Sequence, residues 1–485
     1  MNTPVVIAFA IYFALLGVIA IISHKTMRTS TDFIVGNRSL NFWVTALSAH
    51  ASDMSAWLFM AFPAAIYIGG LPQIWTALGL FFGMLLNWLL VAKRLRLATE
   101  KYQANTLSSF FEKRFHDSSG TLRILTALML VFFMTCYLCA GLIAMGYLIE
   151  SVFGIDYYWG LAFASFVVMA YTFAGGFITV AWTDLFQAIF LIIMITLVPI
   201  VAFSKIAGGF GAIEQAAIQN EISLSPIADL SFSSLLTIIF LALGWGLGYF
   251  GQPHIVTKFM GIRKPEELRK SMYFGMTWQA IALTSAVCVG LVGLGYFPNG
   301  LGNPELVFVE MVKQIFHPFF GGIVLCAIIA ANMSTMDSQV LVCSSILSED
   351  LYGKIINSKA SPRRLLRVTR GCVIFITLLS LGVAFIRSTT VLEAVLYAWT
   401  GLGCAFGPVI LFSLFMPMTN RTGAIAGILT GGVVAALWDF FYPHEALIPI
   451  PAMVPGFLLS SCSIVLFSWL TQNQEESTIV EGLDS

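Results

Sequence analysis

The chain alternates long apolar stretches with short polar ones. Thirteen of the apolar stretches read as helical spans: 5–23, 41–69, 72–92, 122–149, 156–175, 177–203, 230–255, 273–297, 319–347, 368–387, 390–415, 422–441 and 448–470. Runs of this length suit helices that cross a hydrocarbon layer of roughly 30 Å, whereas barrel strands would show shorter, alternating segments. Two spans look interrupted. The second, FWVTALSAHASDMSAWLFMAF at 42–62, is apolar at both ends but holds Ser48, His50, Ser52, Asp53 and Ser55 at its centre. The seventh contains LGWGLGYFGQPHI, with Gly244, Gly246, Gly248, Gly251 and Pro253. Glycine and proline weaken a helix, and backbone groups freed within a membrane persist only where protein or a wet cavity receives them. Spans 2 and 7 lie five apart, which predicts two five-span repeats, spans 2–6 (about 41–203) and 7–11 (about 230–415). Because five is odd, the second repeat is inverted. Broken helices at matching positions of inverted repeats point to a transporter's ligand site. The competing reading is that these glycines only let helices approach closely.

Composition sharpens this picture. The chain is 58% hydrophobic and 10% charged, with a mean hydropathy of +0.87; a soluble domain carries about 25% charged residues. The expected class is therefore an all-α polytopic membrane protein: one transmembrane unit over 1–470, an unstructured polar tail over 471–485, and no soluble domain. The first apolar run lacks a basic segment before it and an evident cleavage site after it, so it counts as a permanent span. With the N-terminus placed outside, 22 of the 25 Lys and Arg residues fall on inside segments, leaving Lys205, Lys313 and Arg387 outside. This bias supports N-out, C-in and an odd number of spans. A formal net charge of zero offers no electrostatic case for nucleic acid. Cys136 and Cys139 form a CxxC inside an apolar run, where small buried core residues are the simpler reading than a redox or metal pair.

Candidate chemistry clusters at the breaks. Ala331, Ser334, Thr335 and Ser338 share one face of span 9, and Ser334 and Thr335 offer two hydroxyl oxygens. A hard cation needs about six oxygen ligands. Backbone carbonyls of a broken helix would supply the rest, and Ala51 and Met54 sit at the first break. The bland reading of these hydroxyls is back-bonding to their own helix. Three carboxylates fall at membrane depth, Asp53, Asp184 and Asp337, and such groups are costly enough to suggest function. Asp184 also suits a capping role; Asp337 either faces an inner water cavity or pairs with Asp184 around one cation. Trp57, Tyr137, Trp245 and Tyr249 could wall a pocket, their faces attracting a cationic nitrogen, although single aromatics are more often packing. His50 reads as packed or water-facing, His254 as the inside end of span 7. Phosphate-binding and dinucleotide motifs, a nucleophile–base pair and a metal triad are absent, which argues against an enzyme.

These stretches resemble the sodium:solute symporter family and, within it, the bacterial sodium/proline symporters. The resemblance covers roughly 5–470 and is carried by VTALSAHASDMSAWL, VAWTDLFQA, GWGLGYFGQPHI, MSTMDSQVLVCSSILSEDLY and YAWTGLGCAFGPVILFSLF. It implies a LeuT-type core of ten helices, with one span before it and two after. It implies Na+ as coupling ion, with no organic cofactor, held by backbone oxygens of Ala51, Met54 and Ala331 and hydroxyls of Ser334 and Thr335. It further implies that Asp53 is essential for coupling and that Asp184 aids sodium handling or release. Proline contacts would come from Ser55, Trp57, Tyr137, Trp245 and Tyr249, with the unwound backbone at Ala56. The expected function is sodium-coupled uptake of a small amino acid, above all L-proline, across a bacterial inner membrane, with no obligatory protein partner. The alternatives are another small solute, or a transporter-like receptor. Two departures matter. Ala56 replaces the glycine of SDMSGW, and its methyl would narrow the pocket. Asp337 stands in place of a serine; with Asp184 and Ser338 it makes a candidate second cation site, which leaves the stoichiometry open.

Overall fold

The computed structural model describes residues 3–24, 35–227, 229–386, 389–442 and 450–481. Lys25, Arg28 and Arg387 of the charge pattern lie outside the described residues. Among those described there is no strand, only an isolated bridge between Leu40 and Ile262. The helices are α1 (Thr3–His24), α2 (Phe42–Asp53), α3 (Ala61–Gly69), α4 (Leu71–Lys101), α5 (Leu107–Arg114), α6 (Thr121–Phe153), α7 (Tyr157–Ala174), α8 (Phe177–Lys205), α9 (Phe210–Gln219), α10 (Phe232–Gly246), α11 (Pro253–Met260), α12 (Pro265–Tyr296), α13 (Val307–Ile315), α14 (Pro318–Ile356), α15 (Pro362–Ala384), α16 (Val391–Phe415), α17 (Arg421–Phe441) and α18 (Met453–Glu481).

Among the described residues, ten helices are long and apolar enough to cross a membrane, or eleven when the bent pair α2–α3 counts as one span. The first and fifth expected spans contain shorter apolar stretches, Thr3–Ile19 and Tyr157–Phe173. Two expectations are corrected at the helix ends. α4 continues past residue 92 to Lys101, and α18 runs on to Glu481 through sequence expected to be unstructured. Gln and Glu, frequent in that stretch, are good helix formers and can extend an existing helix.

Burial ranks the spans. α14 is the most enclosed and α15 among the least, so α14 forms the centre of the bundle. α8 and α2 pack on α14, α1 covers its flank, and α17 and α18 pair at the periphery. Small residues allow the closest approach. A Cβ on Gly79 would lie 2.2 Å from the carbonyl oxygen of Ala242, so α4 and α10 touch backbone to backbone. Outside the spans, Glu305 accepts from the amides of Val391 (3.2 Å) and Leu392 (3.0 Å) and so caps α16. Just beyond it, Phe308 of α13 meets Phe59 edge-on at 5.0 Å, next to the first break.

Candidate functional site

The chain bends by 69° between α2 and α3. The local hydrogen bonding explains what the bend releases. In a continuous helix the carbonyl of Ala51 would accept from the Ser55 amide, and that of Met54 from the Leu58 amide. Ser55 N instead donates to Asp53 O (3.1 Å), and Leu58 N donates to Ser55 O (3.1 Å). Both carbonyls therefore lose their helical partners. Opposite them, on α14, Ser334 Oγ reaches Ala51 O at 2.7 Å and Ala331 O at 2.8 Å. Thr335 Oγ1 lies 3.5 Å from Ala51 O and 3.3 Å from Ala331 O. Four of the five expected ligands thus converge on one buried point, and the fifth, Met54, sits at the break with its carbonyl released. An all-oxygen, neutral donor set of this kind fits a hard alkali cation.

Next to this point five aromatic side chains line a small cavity. Its wall includes Trp57, Tyr137, Trp245 and Tyr249, together with Asp53, Met54, Leu80, Val395 and Trp399. Trp57 stacks on Phe62 (4.9 Å, 8°) and tilts against Trp245 at 5.2 Å. Trp399 meets Tyr249 edge-on at 5.0 Å, and its indole donates to Trp245 O at 3.0 Å. The indole N–H of Trp57 is buried without a partner among the described residues. The enclosed volume is about 10 Å³, roughly one water's worth. Ser55 and Ala56 lie beside this wall instead of in it: the Ser55 hydroxyl accepts from Trp57 N (3.2 Å) and Ala56 is buried in the turn 56–58. The Ala56 methyl is not among the groups that line this cavity.

The second break lies across from the first. α10 tightens into a 3-10 turn over Leu247–Gly251, Gln252 is extended, and α11 restarts at Pro253. Here the glycines serve packing as well: a Cβ on Gly248 would sit 1.9 Å from Trp399 Nε1. Asp53 joins the two breaks, because the Tyr249 hydroxyl donates to its Oδ2 at 2.5 Å. Gln279 holds the same hydroxyl at 3.0 Å. Asp53 thus faces the second break and the cavity, on a side of α2 different from the oxygens around Ala51.

Farther along the bundle, Asp184 and Asp337 do not share a bond. Asp184 Oδ2 accepts from Ser48 Oγ (2.6 Å), Ser52 Oγ (3.2 Å) and Lys258 Nζ (2.9 Å). Ser338 joins this cluster through Ser52, hydroxyl to hydroxyl at 2.9 Å. Asp337 Oδ1 accepts from Thr172 Oγ1 at 3.0 Å, while its Oδ2 is buried without a partner. Asp184 thus pairs with a lysine, because a charged donor satisfies a buried carboxylate where a second carboxylate would repel it; Asp337, expected either to face an inner water cavity or to share a cation with Asp184, has Thr172 as its bonded partner. His50 is packed, between Trp88 (6.1 Å) and Trp278 (5.9 Å). His254 does not end span 7: it lies fully buried in the first turn of α11, 5.6 Å from the Tyr137 ring, since that helix continues to Met260.

Sequence reasoning missed Lys258, Gln279 and Trp399. Lys258 was counted among the inside-facing charges, yet it is 1% exposed. Its signal was available, a lone lysine within an otherwise apolar IVTKFM, but a charge at a span end looks the same whether it faces water or a carboxylate. Gln279 was legible as a single amide inside an apolar span. Trp399 stood unremarked among many aromatics.

The sequence matches the profile described as Sodium:solute symporter family over residues 33–431. The chain belongs to the sodium:solute symporter family. The Sodium/proline symporter of Escherichia coli (strain K12) is 39% identical over 481 residues, covering 97% of this chain and 93% of that protein. The Sodium/proline symporter of Staphylococcus aureus is 36% identical over 483 residues, with the same coverage. In structure the symporter resembles a Na+-coupled sialic acid symporter in a substrate-bound outward-open state, with a TM-score of 0.82 at 19% identity, covering 97% of this chain and 98% of that one. A looser likeness is to MhsT in complex with L-phenylalanine, with a TM-score of 0.57 at 14% identity, covering 88% and 98%. At these identities the structural likeness establishes the fold, a helical architecture shared with coupled transporters.

Proposed function

We propose that this symporter couples sodium entry to uptake of a small amino acid, L-proline above others. The observation that carries the reading is the junction at the first break. Oxygens of Ala51, Ala331, Ser334 and Thr335 meet there, and the same few residues of backbone run directly into an aromatic cavity containing Asp53 and the unpartnered indole N–H of Trp57. The relatives named as sodium/proline symporters support the choice of proline. Chemically, the indole suits a carboxylate, the rings of Trp57, Tyr137 and Trp245 suit a compact apolar ring, and Asp53 with the aromatic faces suits the secondary ammonium.

On this reading the molecule has thirteen spans, α1 and α7 included, and its two five-helix repeats start at the broken pairs α2–α3 and α10–α11. The N-terminus lies outside and the C-terminus inside a bacterial inner membrane, as the basic residues favour. Asp184, Asp337 and Ser338 belong to the inner half, where they serve ion release. The activity is transport, with no organic cofactor and no obligatory protein partner. Coupling follows from geometry. A cation held between α2 and α14 draws the broken helix onto α14 and orders Trp57 and Asp53 for substrate. Each ligand then raises the affinity for the other by the same factor.

The test is uptake of radiolabelled L-proline into proteoliposomes of the purified protein. We expect uptake to require an inward sodium gradient and to be blocked by excess unlabelled proline. Uptake equal with and without the gradient would remove sodium coupling, and competition by a different amino acid, carboxylate or vitamin but not by proline would reassign the substrate.

A further inference from the structure

The cluster around Asp184 has the donors of a cation site, yet it already contains a cation that belongs to the chain. Ser48, Ser52 and Ser338 place three hydroxyl oxygens around the carboxylate, two of them bonded to it directly. Asp184 Oδ1 has no partner among the described residues. Asp184 is 0% and Lys258 1% exposed. A carboxylate enclosed to this degree is costly to keep ionised, and a positive charge beside it offsets that cost; a hard cation takes oxygen donors of this kind. The Lys258 ammonium, also 5.2 Å from the Phe177 ring, meets that need at 2.9 Å. Being tethered on α11, it is present at a high effective concentration, and a free ion must displace it.

We propose that Lys258 is a built-in substitute for a second sodium ion. The Asp184–Ser48–Ser52–Ser338 cluster is a cation site filled by the chain itself, and transport proceeds with one sodium ion, held at the break beside Ala51. The proposal rests on the sodium-coupled reading above and adds to it the identity of the charge in the inner cluster. The arrangement has a mechanical side. Lys258 is carried by the half-helix that follows the second break, Ser48 and Ser52 by the half-helix that precedes the first, and Asp184 and Ser338 by the unbroken α8 and α14. Any movement that separates the broken helices from α8 and α14 pulls the ammonium from its carboxylate.

The experiment is equilibrium binding of radioactive sodium to the purified full chain in detergent, read as ions bound per polypeptide. We expect one ion for the natural sequence. Lys258→Gln should bind two, the second being lost again when Asp184→Asn is added, and Lys258→Arg should bind one. Two ions on the natural sequence, or one on a folded Lys258→Gln variant, would overturn the proposal. Two ions on the natural sequence overturn the proposal even if Lys258→Gln does not fold, and Lys258→Met then serves as the second charge-removing variant, expected to bind two. Failure of the underlying reading looks different: no saturable sodium binding, together with uptake indifferent to sodium.

Discussion

Single atoms set the properties of the break. The carbonyls of Ala51 and Met54 are free for the proposed cation only because the amides of Ser55 and Leu58 turn to other carbonyls. Residue identity matters less here than backbone direction, since any side chain could stand at position 51 if it fitted. The hydroxyls of α14 differ, because their chemistry is in the side chain. On the proposed reading, Ser334→Ala removes one oxygen from the cation shell while keeping the helix, whose own hydrogen bonds do not need it. With a neutral ligand worth about 1 kcal/mol, the sodium concentration for half-maximal uptake should rise about three- to tenfold, with little change in protein yield. Initial uptake rates measured across a sodium series check this; an unchanged midpoint would remove Ser334 from the shell. Asp53 takes a different role from its neighbours. Its carboxylate is engaged by Tyr249 across the gap, so it ties the two broken helices together at the cavity wall.

At the scale of elements, the breaks are held open by contacts from outside themselves. The glycines of the second break were read as helix weakeners or as packing notches, and they are both. Gly248 accommodates the indole of Trp399, whose N–H in turn bonds to Trp245 O. Adding a methyl there forces Trp399 off its position and disturbs a wall of the cavity. Gly248→Ala should therefore cost about 1–3 kcal/mol of stability, as overpacking does, and should raise the proline concentration for half-maximal uptake. Thermal unfolding in detergent and uptake kinetics together check this. A variant of natural stability and natural kinetics would mean that the indole has room to move. The straight helices explain why the breaks are tolerated: α14, enclosed on nearly every side, and α8 give the bent segments a fixed surface to bond to.

For the whole molecule, the small size of the cavity is informative. A volume of about 10 Å³ is far below what an amino acid needs, so binding requires the walls around Trp57 and Trp399 to part. Charges outside the membrane brace helix ends. Asp117 is an example. Burial raises its pKa, but the Ser119 hydroxyl, the Leu122 amide and Arg421 outweigh this and hold it below the ordinary carboxylate value. It caps α6 through Leu122 N at 2.7 Å and pairs with Arg421 of α17 at 2.9 Å. A depressed carboxylate stabilises the fold fully above its unfolded pKa of about 4 and loses that contribution as pH falls through its folded value. Asp117→Asn should accordingly destabilise the protein at pH 7, by about 1–2 kcal/mol, and the natural and variant proteins should converge in acid. Melting curves of both proteins, from neutral pH to the acid limit of the fold, check this; a gap that stays constant with pH would mean that the carboxylate's charge is not involved.

Much of this was legible in the chain. Apolar run length determined the spans, because a helix in lipid needs about twenty apolar residues whatever surrounds it. Ser, Asp, Gly and Pro inside two of those runs determined where the helices break, because such residues are too costly in hydrocarbon unless used. The oxygen donors of span 9 were visible from their helical spacing, and the family likeness rested on stretches read directly from the sequence. What only the tertiary structure decided was which polar groups meet. Lys258 and Asp184 are 74 residues apart, and Asp53 and Tyr249 are 196 apart. No local pattern relates such pairs, since a carboxylate in a membrane needs some partner but its own helix does not say which. Helix packing chose Lys258 for Asp184 and Thr172 for Asp337, a choice that depends on which helices face each other and not on any local pattern.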